Sequence, residues 1–475
     1  MKNLILLFCF ILTTVTSAFA AEKPLANPRS ITFPPLNYQI PKAERVVLDC
    51  GMPVYLLRDS ELPIINVSAM VRTGTVYDQT DRSGLAGMVG SVMRSGGAGG
   101  LPPEKMDDEL EFMASSVESS IGSDMGTVSL TTLTKNFSRT LKIFSDVLLR
   151  PDFSAARIEI ARKQTIEGLR RQNDDPKEIA GREIGRAVYA GHPLGIIPTF
   201  ASINAIQRQE LLDFHRRFFR TDNTILAVSG DFNRESMLKE LNTTFGPARK
   251  GDTLLLPEIP QPPRNFSAEV IYGKKDVNQT VIRLGHLGLS KDDPELYAVR
   301  VLDYILGGSF TSRLTMEIRT NQGLAYNVGS HFDIGRRFTG SFIAETETKA
   351  ESTGKAIKLM TGIITDMTKE PVSDSELNAA REYIINSFMF GFASPSSIVM
   401  QRARLEYYGY SADYLERYRE NISKVSKEDV LNAARKFLHP DAFKLVVVGN
   451  ADKFDTPVAS FGAVRELDLK LEIPK

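Results

Sequence analysis

Ile206-Gln-Arg-Gln-Glu-Leu-Leu-Asp-Phe-His-Arg-Arg-Phe218 and, a few residues on, Thr224-Ile-Leu-Ala-Val-Ser-Gly-Asp231 form a pair that occurs twice in this chain. The second copy is Val425-Ser-Lys-Glu-Asp-Val-Leu-Asn-Ala-Ala-Arg-Lys-Phe437 followed by Phe443-Lys-Leu-Val-Val-Val-Gly-Asn450. In each, apolar residues at helical spacing give an amphipathic helix. The apolar run after it gives a strand that stops at Gly-Asp or Gly-Asn. A second matched stretch lies upstream, Ala155-Ala-Arg-Ile-Glu-Ile-Ala-Arg-Lys163 and Ser375-Glu-Leu-Asn-Ala-Ala-Arg-Glu-Tyr383. Each continues as a helical run to a proline turn, Asp174-Asp-Pro176 or Ala393-Ser-Pro395. The same elements in the same order imply a duplicated α+β unit. Strand-like segments open both copies, at 46–57 and 64–71, then at 269–272 and 279–289. Helices and strands then alternate irregularly. This predicts an α+β fold of two homologous domains, each a largely antiparallel sheet with helices packed on one face.

Between the copies stands Leu256-Pro-Glu-Ile-Pro-Gln-Pro-Pro263. Proline fixes φ and has no backbone N–H, so the stretch forms neither helix nor central strand and reads as an extended linker. The expected division is a signal peptide at 1–20, a first domain at 41–250, a linker at 251–265 and a second domain at 266–460. A chain of 475 residues is too long for one hydrophobic core. Lys plus Arg and Asp plus Glu both number 58, so formal net charge is zero. Nothing in that balance favours nucleic acid as a partner. The signal peptide is read from Lys2, an apolar run at 4–12 and the small-x-small pattern Ala18-Phe-Ala20. The run is shorter than the about 20 residues of a bilayer span. A secreted protein of the bacterial periplasm, with no membrane span after cleavage, is expected. Cys50 alone survives that cleavage, so no intrachain disulfide can form.

Residues 84–91 read Gly-Leu-Ala-Gly-Met-Val-Gly-Ser. They follow a strand-like run at 67–77 and a polar turn at 78–83, and open a helix that ends near Arg94-Ser-Gly-Gly97. In this setting the chain resembles the insulinase/pitrilysin family of zinc peptidases, the inverzincins, which carry Gly-Leu-Ala-His-x-x-Glu-His there. The resemblance covers about residues 41–450 and fits the short two-domain type similar to mitochondrial processing peptidase. It puts the two imidazoles and the general base at Gly87, Gly90 and Ser91. The third ligand, a downstream Glu, falls on Gly168, next to Glu167. Zinc needs that set of imidazoles and carboxylate, and hydrolysis needs a base on its water. Glycine and serine supply neither. The five histidines, His192, His215, His286, His331 and His439, share no metal-ligand spacing. The resemblance therefore implies no cofactor in this chain and no zinc hydrolysis by this chain alone.

Further on, Ile305-Leu-Gly-Gly-Ser-Phe-Thr-Ser-Arg-Leu314 leads into Glu317-Ile-Arg-Thr-Asn-Gln-Gly-Leu-Ala-Tyr326-Asn-Val-Gly-Ser330. The family's C-terminal domains carry a similar run, and the match assigns its functional pair to Arg319 and Tyr326. There the guanidinium positions a substrate carbonyl and the phenol stabilises an oxyanion. Without the family, Arg319 reads as a helix C-terminal cation and Tyr326 as a strand residue. Gly307-Gly308 reads either as a tight helix-start turn or as a flexible loop at a chamber mouth. Ser115-Ser-Val-Glu-Ser-Ser-Ile121 matches the family's edge strand. That makes Ser116, Val117, Glu118 and Ser119 the peptide-binding residues, by strand addition. The reading that results is a non-catalytic, substrate-binding subunit of a heteromeric zinc metallopeptidase. It would supply Arg319 and Tyr326 in trans to a zinc-bearing paralogue. The alternative is a catalytically dead homodimeric binding or scaffold protein of the same fold.

Overall fold

The computed structural model describes residues 39–247 and 256–470. The expected signal peptide and residues 251–255 of the expected linker lie outside them. The first sheet has β1 (Glu44–Val47), β2 (Pro53–Arg58), β3 (Ile64–Val71), β4 (Ser116–Ile121), β5 (Gly126–Leu133) and β6 (Thr224–Gly230). Their order is β1-β2-β6-β3-β5-β4, and only the β2–β6 neighbours are parallel. The strand-like stretch at 46–57 is a hairpin. It turns at Gly51, whose φ of 88° suits glycine, and Cys50 is buried there.

The second sheet has β7 (Glu269–Lys274), β8 (Gln279–Leu287), β9 (Ala325–Asp333), β10 (Ser341–Lys349), β11 (Lys444–Gly449) and β12 (Val464–Glu466). Its order is β12-β7-β11-β8-β10-β9, with β11 and β12 both parallel to β7. The run β2-β6-β3-β5-β4 thus repeats as β7-β11-β8-β10-β9. The duplication read in the sequence is a duplication of topology. Only the outermost strand differs, β1 from the chain's start in one sheet and β12 from its end in the other.

The helices that position the site are α1 (Leu85–Ser95), α2 (Ala155–Arg171), α3 (Pro176–Val188) and α4 (Arg208–Phe218) in the first half. The counterparts of α1, α3 and α4 in the second are α5 (Leu296–Leu306), α6 (Pro395–Tyr407) and α7 (Lys427–Phe437). The repeated helices α4 and α7 begin with the same device. Glu210 accepts from Gln207 N at 2.8 Å, and Asp429 accepts from Ser426 N at 2.8 Å. Each reaches back from the third helical residue to satisfy an N–H that the helix leaves unpaired.

Each sheet has one face on its own helices. Val67, Leu226 and Val228 pack with Val89 of α1 and Phe144 in the first core, and Leu284, Leu445 and Val447 with Val299 and Leu302 of α5 in the second. The opposite faces are covered by an exchange. Helix α3 lays Ile179, Ala180 and Ile184 on Ile271, Val281, Val446 and Val448 of the second sheet. Helix α6 lays Val399, Ala403 and Tyr407 on Met70, Ile225 and Ala227 of the first. Strands β6 and β11 are therefore buried on both faces, at all positions. That accounts for their apolar centres, Ile225–Val228 and Leu445–Val448, where one-sided burial would give alternation.

Polar contacts lock the exchange. Glu406 on α6 accepts from Arg45 at 2.6 and 2.8 Å and from Tyr55 at 2.6 Å. The described part of the linker has no helix or strand. His192 Nε2 donates to Pro260 O at 2.9 Å, and Gln261 Oε1 accepts from Thr339 N at 2.9 Å, which pins the linker to both halves.

Candidate functional site

Helix α1 carries the altered motif. Its first turn is held by Asp78, whose two carboxylate oxygens accept from Gly84 N and Ala86 N at 2.9 Å each. Burial pushes that carboxyl up to about 6, against the pull of these backbone donors. Ala86, Val89 and Met93 face the core. The other side of the helix lies on the sheet's outermost strand, β4. Ser119 Oγ donates to Gly90 O at 2.6 Å, Arg94 Nε donates to Val117 O at 3.2 Å, and Arg94 also pairs with Asp107.

The four positions that would hold the zinc machinery differ sharply in space. A Cβ at Gly87 would meet nothing within 4 Å, and the same is true at Gly168 on α2. A Cβ at Gly90 would fall 2.5 Å from Ile121 N and 3.0 Å from Ser120 C, both backbone atoms. Ser91 spends its hydroxyl on Met88 O at 3.1 Å. Glu167, the one carboxylate beside these positions, is exposed and pairs with Arg170 and Arg171 at 3.4 and 3.0 Å. Among the described residues, no group of three or more His, Cys, Asp or Glu could hold a metal ion. The donor set does not fit zinc, and Gly90 leaves no room for the missing base.

Four of the five histidines do structural work. His215 is buried and donates to Leu148 O at 2.9 Å, and burial drives its pKa down to about 4. His286 donates from Nδ1 to Leu287 O at 2.8 Å and accepts at Nε2 from His439 N at 3.1 Å, and burial again drives it to about 4. His192 holds the linker. His331 lies on the exposed side of β9.

Arg319 and Tyr326 are brought together. Arg319 sits on a π-helix, Thr315–Asn321, rather than at the end of an α-helix. The wide turn closes with Gln322 N donating to Glu317 O at 3.0 Å, five residues back. Glu317 accepts from Asn321 and Gln322 side chains at 2.8 Å each, which fixes this turn. Such turns cluster at functional sites. The Arg319 guanidinium lies 4.9 Å from the Tyr326 ring centroid and 5.5 Å from that of Phe310. Tyr326 is 84 % exposed and Phe310 80 %. Stacking on rings orients a guanidinium while leaving its N–H edge free.

Beside the pair runs a groove of about 510 Å³, lined in part by Tyr304, Phe310, Arg319, His331 and Tyr383. Gly307 is a close-packing residue here: its Cβ would fall 2.1 Å from Ser330 N on β9. The loop is therefore pressed on the strand as a tight turn, but Gly307 ends helix α5, where a turn at a helix start was expected. Phe310 and Tyr383 were not anticipated. The available signal was Phe310 amid Ser and Thr in Gly-Gly-Ser-Phe-Thr-Ser, an aromatic with no apolar neighbours to bury it.

Strand β4 lies at the sheet edge, within the stretch Ser115–Ile121 matched to the family's edge strand. It pairs with β5 from Ser116 opposite Thr131 to Ile121 opposite Gly126. Ser116 and Glu118 are exposed, but the Val117 side chain is buried. The Val117 carbonyl and the Ser119 hydroxyl already bind α1.

The insulinase (peptidase family M16) model matches residues 54–198, and the peptidase M16 inactive domain model matches residues 205–384. The chain belongs to the insulinase family of peptidases, and with a donor set that cannot hold zinc it is an inactive member. A Mycobacterium leprae relative named as a zinc protease is 24% identical over 317 residues, 65% of this chain and 69% of its own length. The Helicobacter pylori protein named non-peptidase homolog YmxG is 22% identical over 411 residues, 85% of this chain and 93% of its own. The crystal structure of a peptidase M16 inactive domain from Pseudomonas fluorescens covers 86% of this chain and 98% of its own, with TM-score 0.78 and 25% identity.

Proposed function

We propose that this chain is the non-catalytic, substrate-binding subunit of a heteromeric zinc metallopeptidase, secreted to the periplasm. Its partner is a zinc-bearing paralogue, and Arg319 and Tyr326 act in trans at that partner's site. The observation that carries this reading is the Arg319 guanidinium held between two exposed rings, with no ion pair among the described residues. A guanidinium set this way can donate two parallel N–H groups to a peptide carbonyl. The exposed phenol of Tyr326 can donate to the oxyanion that forms when a carbonyl is attacked. The zinc and its activated water are the partner's contribution. This chain binds and orients the peptide, with Ser116 and Glu118 at the open edge of β4 offering a place for an added strand.

Reconstitution tests it. The mature protein is mixed with a zinc-bearing paralogue from the same organism, and peptide cleavage is followed. Activity is expected to require both chains. Arg319→Ala or Tyr326→Phe lowers kcat/KM by about 10²-fold, the loss typical of one oxyanion or carbonyl donor, with unchanged circular dichroism. Cleavage by this chain alone that a chelator abolishes overturns the reading. So does a paralogue whose rate is indifferent to this chain.

A further inference from the structure

Where the two halves meet, a cavity of about 330 Å³ is lined by Arg72, Arg336, Arg337, Tyr407, Tyr408 and Leu256. The three arginines come from separate parts of the chain. Arg72 follows β3, while Arg336 and Arg337 lie between β9 and β10 of the other half. The tyrosines end the exchanged helix α6. None of the three guanidiniums forms an ion pair among the described residues; each is held by a ring instead. Arg72 lies 5.8 Å from the Tyr407 centroid, Arg336 5.4 Å from that of Tyr408, and Arg337 5.1 Å from both Tyr77 and Phe338. Arg337 also donates to the Tyr77 hydroxyl.

The nearby carboxylates are largely spoken for. Glu406 is taken by Arg45 and Tyr55. Asp292, farther out, pairs with Lys291 at 2.6 Å. Asp124, in the turn between β4 and β5, accepts from the Tyr408 hydroxyl at 3.1 Å. Among the described residues, Arg72, Arg336, Arg337 and Arg45 thus face two carboxylates, Asp124 and Glu406, and two positive charges are left over. Arg337 gives one N–H to Tyr77 and Arg336 leans on the Tyr408 and Tyr410 hydroxyls, and the N–H groups that remain on these ring-held forks suit planar or tetrahedral oxyanions.

We propose that this cavity binds a small oxyanion carrying two negative charges, of the hydrogen-phosphate or dicarboxylate kind. The ligand bridges β3 of one half and the β9–β10 connection of the other. Its binding stabilises the folded chain by mass action. The site is separate from the Arg319 groove and does not depend on the chain's acting as a peptidase subunit.

Calorimetry on the full mature chain tests this, titrating sodium phosphate and, separately, sodium succinate at ionic strength held constant with sodium chloride. At least one dianion is expected to bind and to raise the unfolding temperature. Arg336→Ala and Arg72→Ala each weaken binding about tenfold or more, the loss expected for one charge-assisted hydrogen bond. Arg139→Ala, which removes a surface pair with Glu109, leaves it unchanged. The dianion that binds assigns the ligand chemistry. Both arginines are exposed and free of ion pairs, so unliganded unfolding temperatures close to the parent's confirm that the variants fold. Neither dianion exceeding chloride, or affinity retained in both alanine variants, overturns the proposal.

Discussion

The same contact is built twice in this molecule, with different chemistry. In the first half α1 lies on the edge strand β4, and in the second α5 lies on its counterpart β9. Each contact closes through a glycine whose Cβ would strike strand backbone, Gly90 at 2.5 Å and Gly307 at 2.1 Å. Each is tied by a polar bond, Ser119 to Gly90 O in one and Phe332 N to Asp303 Oδ1 at 2.9 Å in the other. In an active family member the first of these places would be the metal site. Here it is a helix-to-strand seam like its twin's, so residues 87–91 are packing where an active member carries a site.

Restoring the motif attacks this comparison most directly. The variant Gly87→His/Gly90→Glu/Ser91→His is expected to lose about 3 kcal/mol by urea unfolding, since the new side chain at 90 must push strand backbone aside. It should bind no stoichiometric zinc by metal analysis. Tight zinc binding at unchanged stability would mean that the seam is still a site. The twin seam is tested by Gly307→Ala, expected to cost about 2 kcal/mol in the same assay for the same steric reason. A neutral result would show that the loop, unlike α1, can lift off its strand.

The polar ties differ in how they answer to pH. Asp303 is half-buried, and its desolvation pushes the carboxyl up to about 7 although Phe332 N and Arg300 pull the other way. The folded chain therefore keeps this proton where the unfolded chain has released it. The contribution is fully present below about pH 4, the range of a free aspartate, and is lost as pH rises to about 7. Urea midpoints should fall across that window, and Asp303→Asn should flatten part of the fall. Asp78, raised to about 6, keeps its own part. The smallest effect expected is at Gly87, where a Cβ meets nothing. Gly87→Ala should gain about 0.5–1 kcal/mol from helix propensity alone, against the loss at Gly90 one turn away.

Much of this was legible in the sequence. The repeated helix–strand pairs gave the duplicated topology, and the run at 84–91 sat on its helix as expected, Leu85–Ser95. The nearness of Arg319 and Tyr326 came from the family resemblance, because seven residues of spacing alone do not say that a π-turn will fold one over the other. The helix exchange was not read. Ile179, Ala180 and Ile184 make an ordinary amphipathic stripe, and periodicity says that a face is buried without saying against which sheet. The clue was in the partner strands: Thr224-Ile-Leu-Ala-Val-Ser-Gly230 lacks the alternation that one-sided burial would leave. The glycine contact at 90 was equally hidden, since a missing side chain leaves no pattern until the strand it touches is in place.

The exchanged helices bear on how the molecule can move. Two domains joined by a linker ordinarily hinge, but here opening would drag α3 off the second sheet and α6 off the first, baring apolar faces on both. Cutting the backbone between residues 256 and 263 would leave a nicked chain still clasped by its own two arms. Parting the halves would cost both clasped apolar faces at once, so they are expected to move as one body.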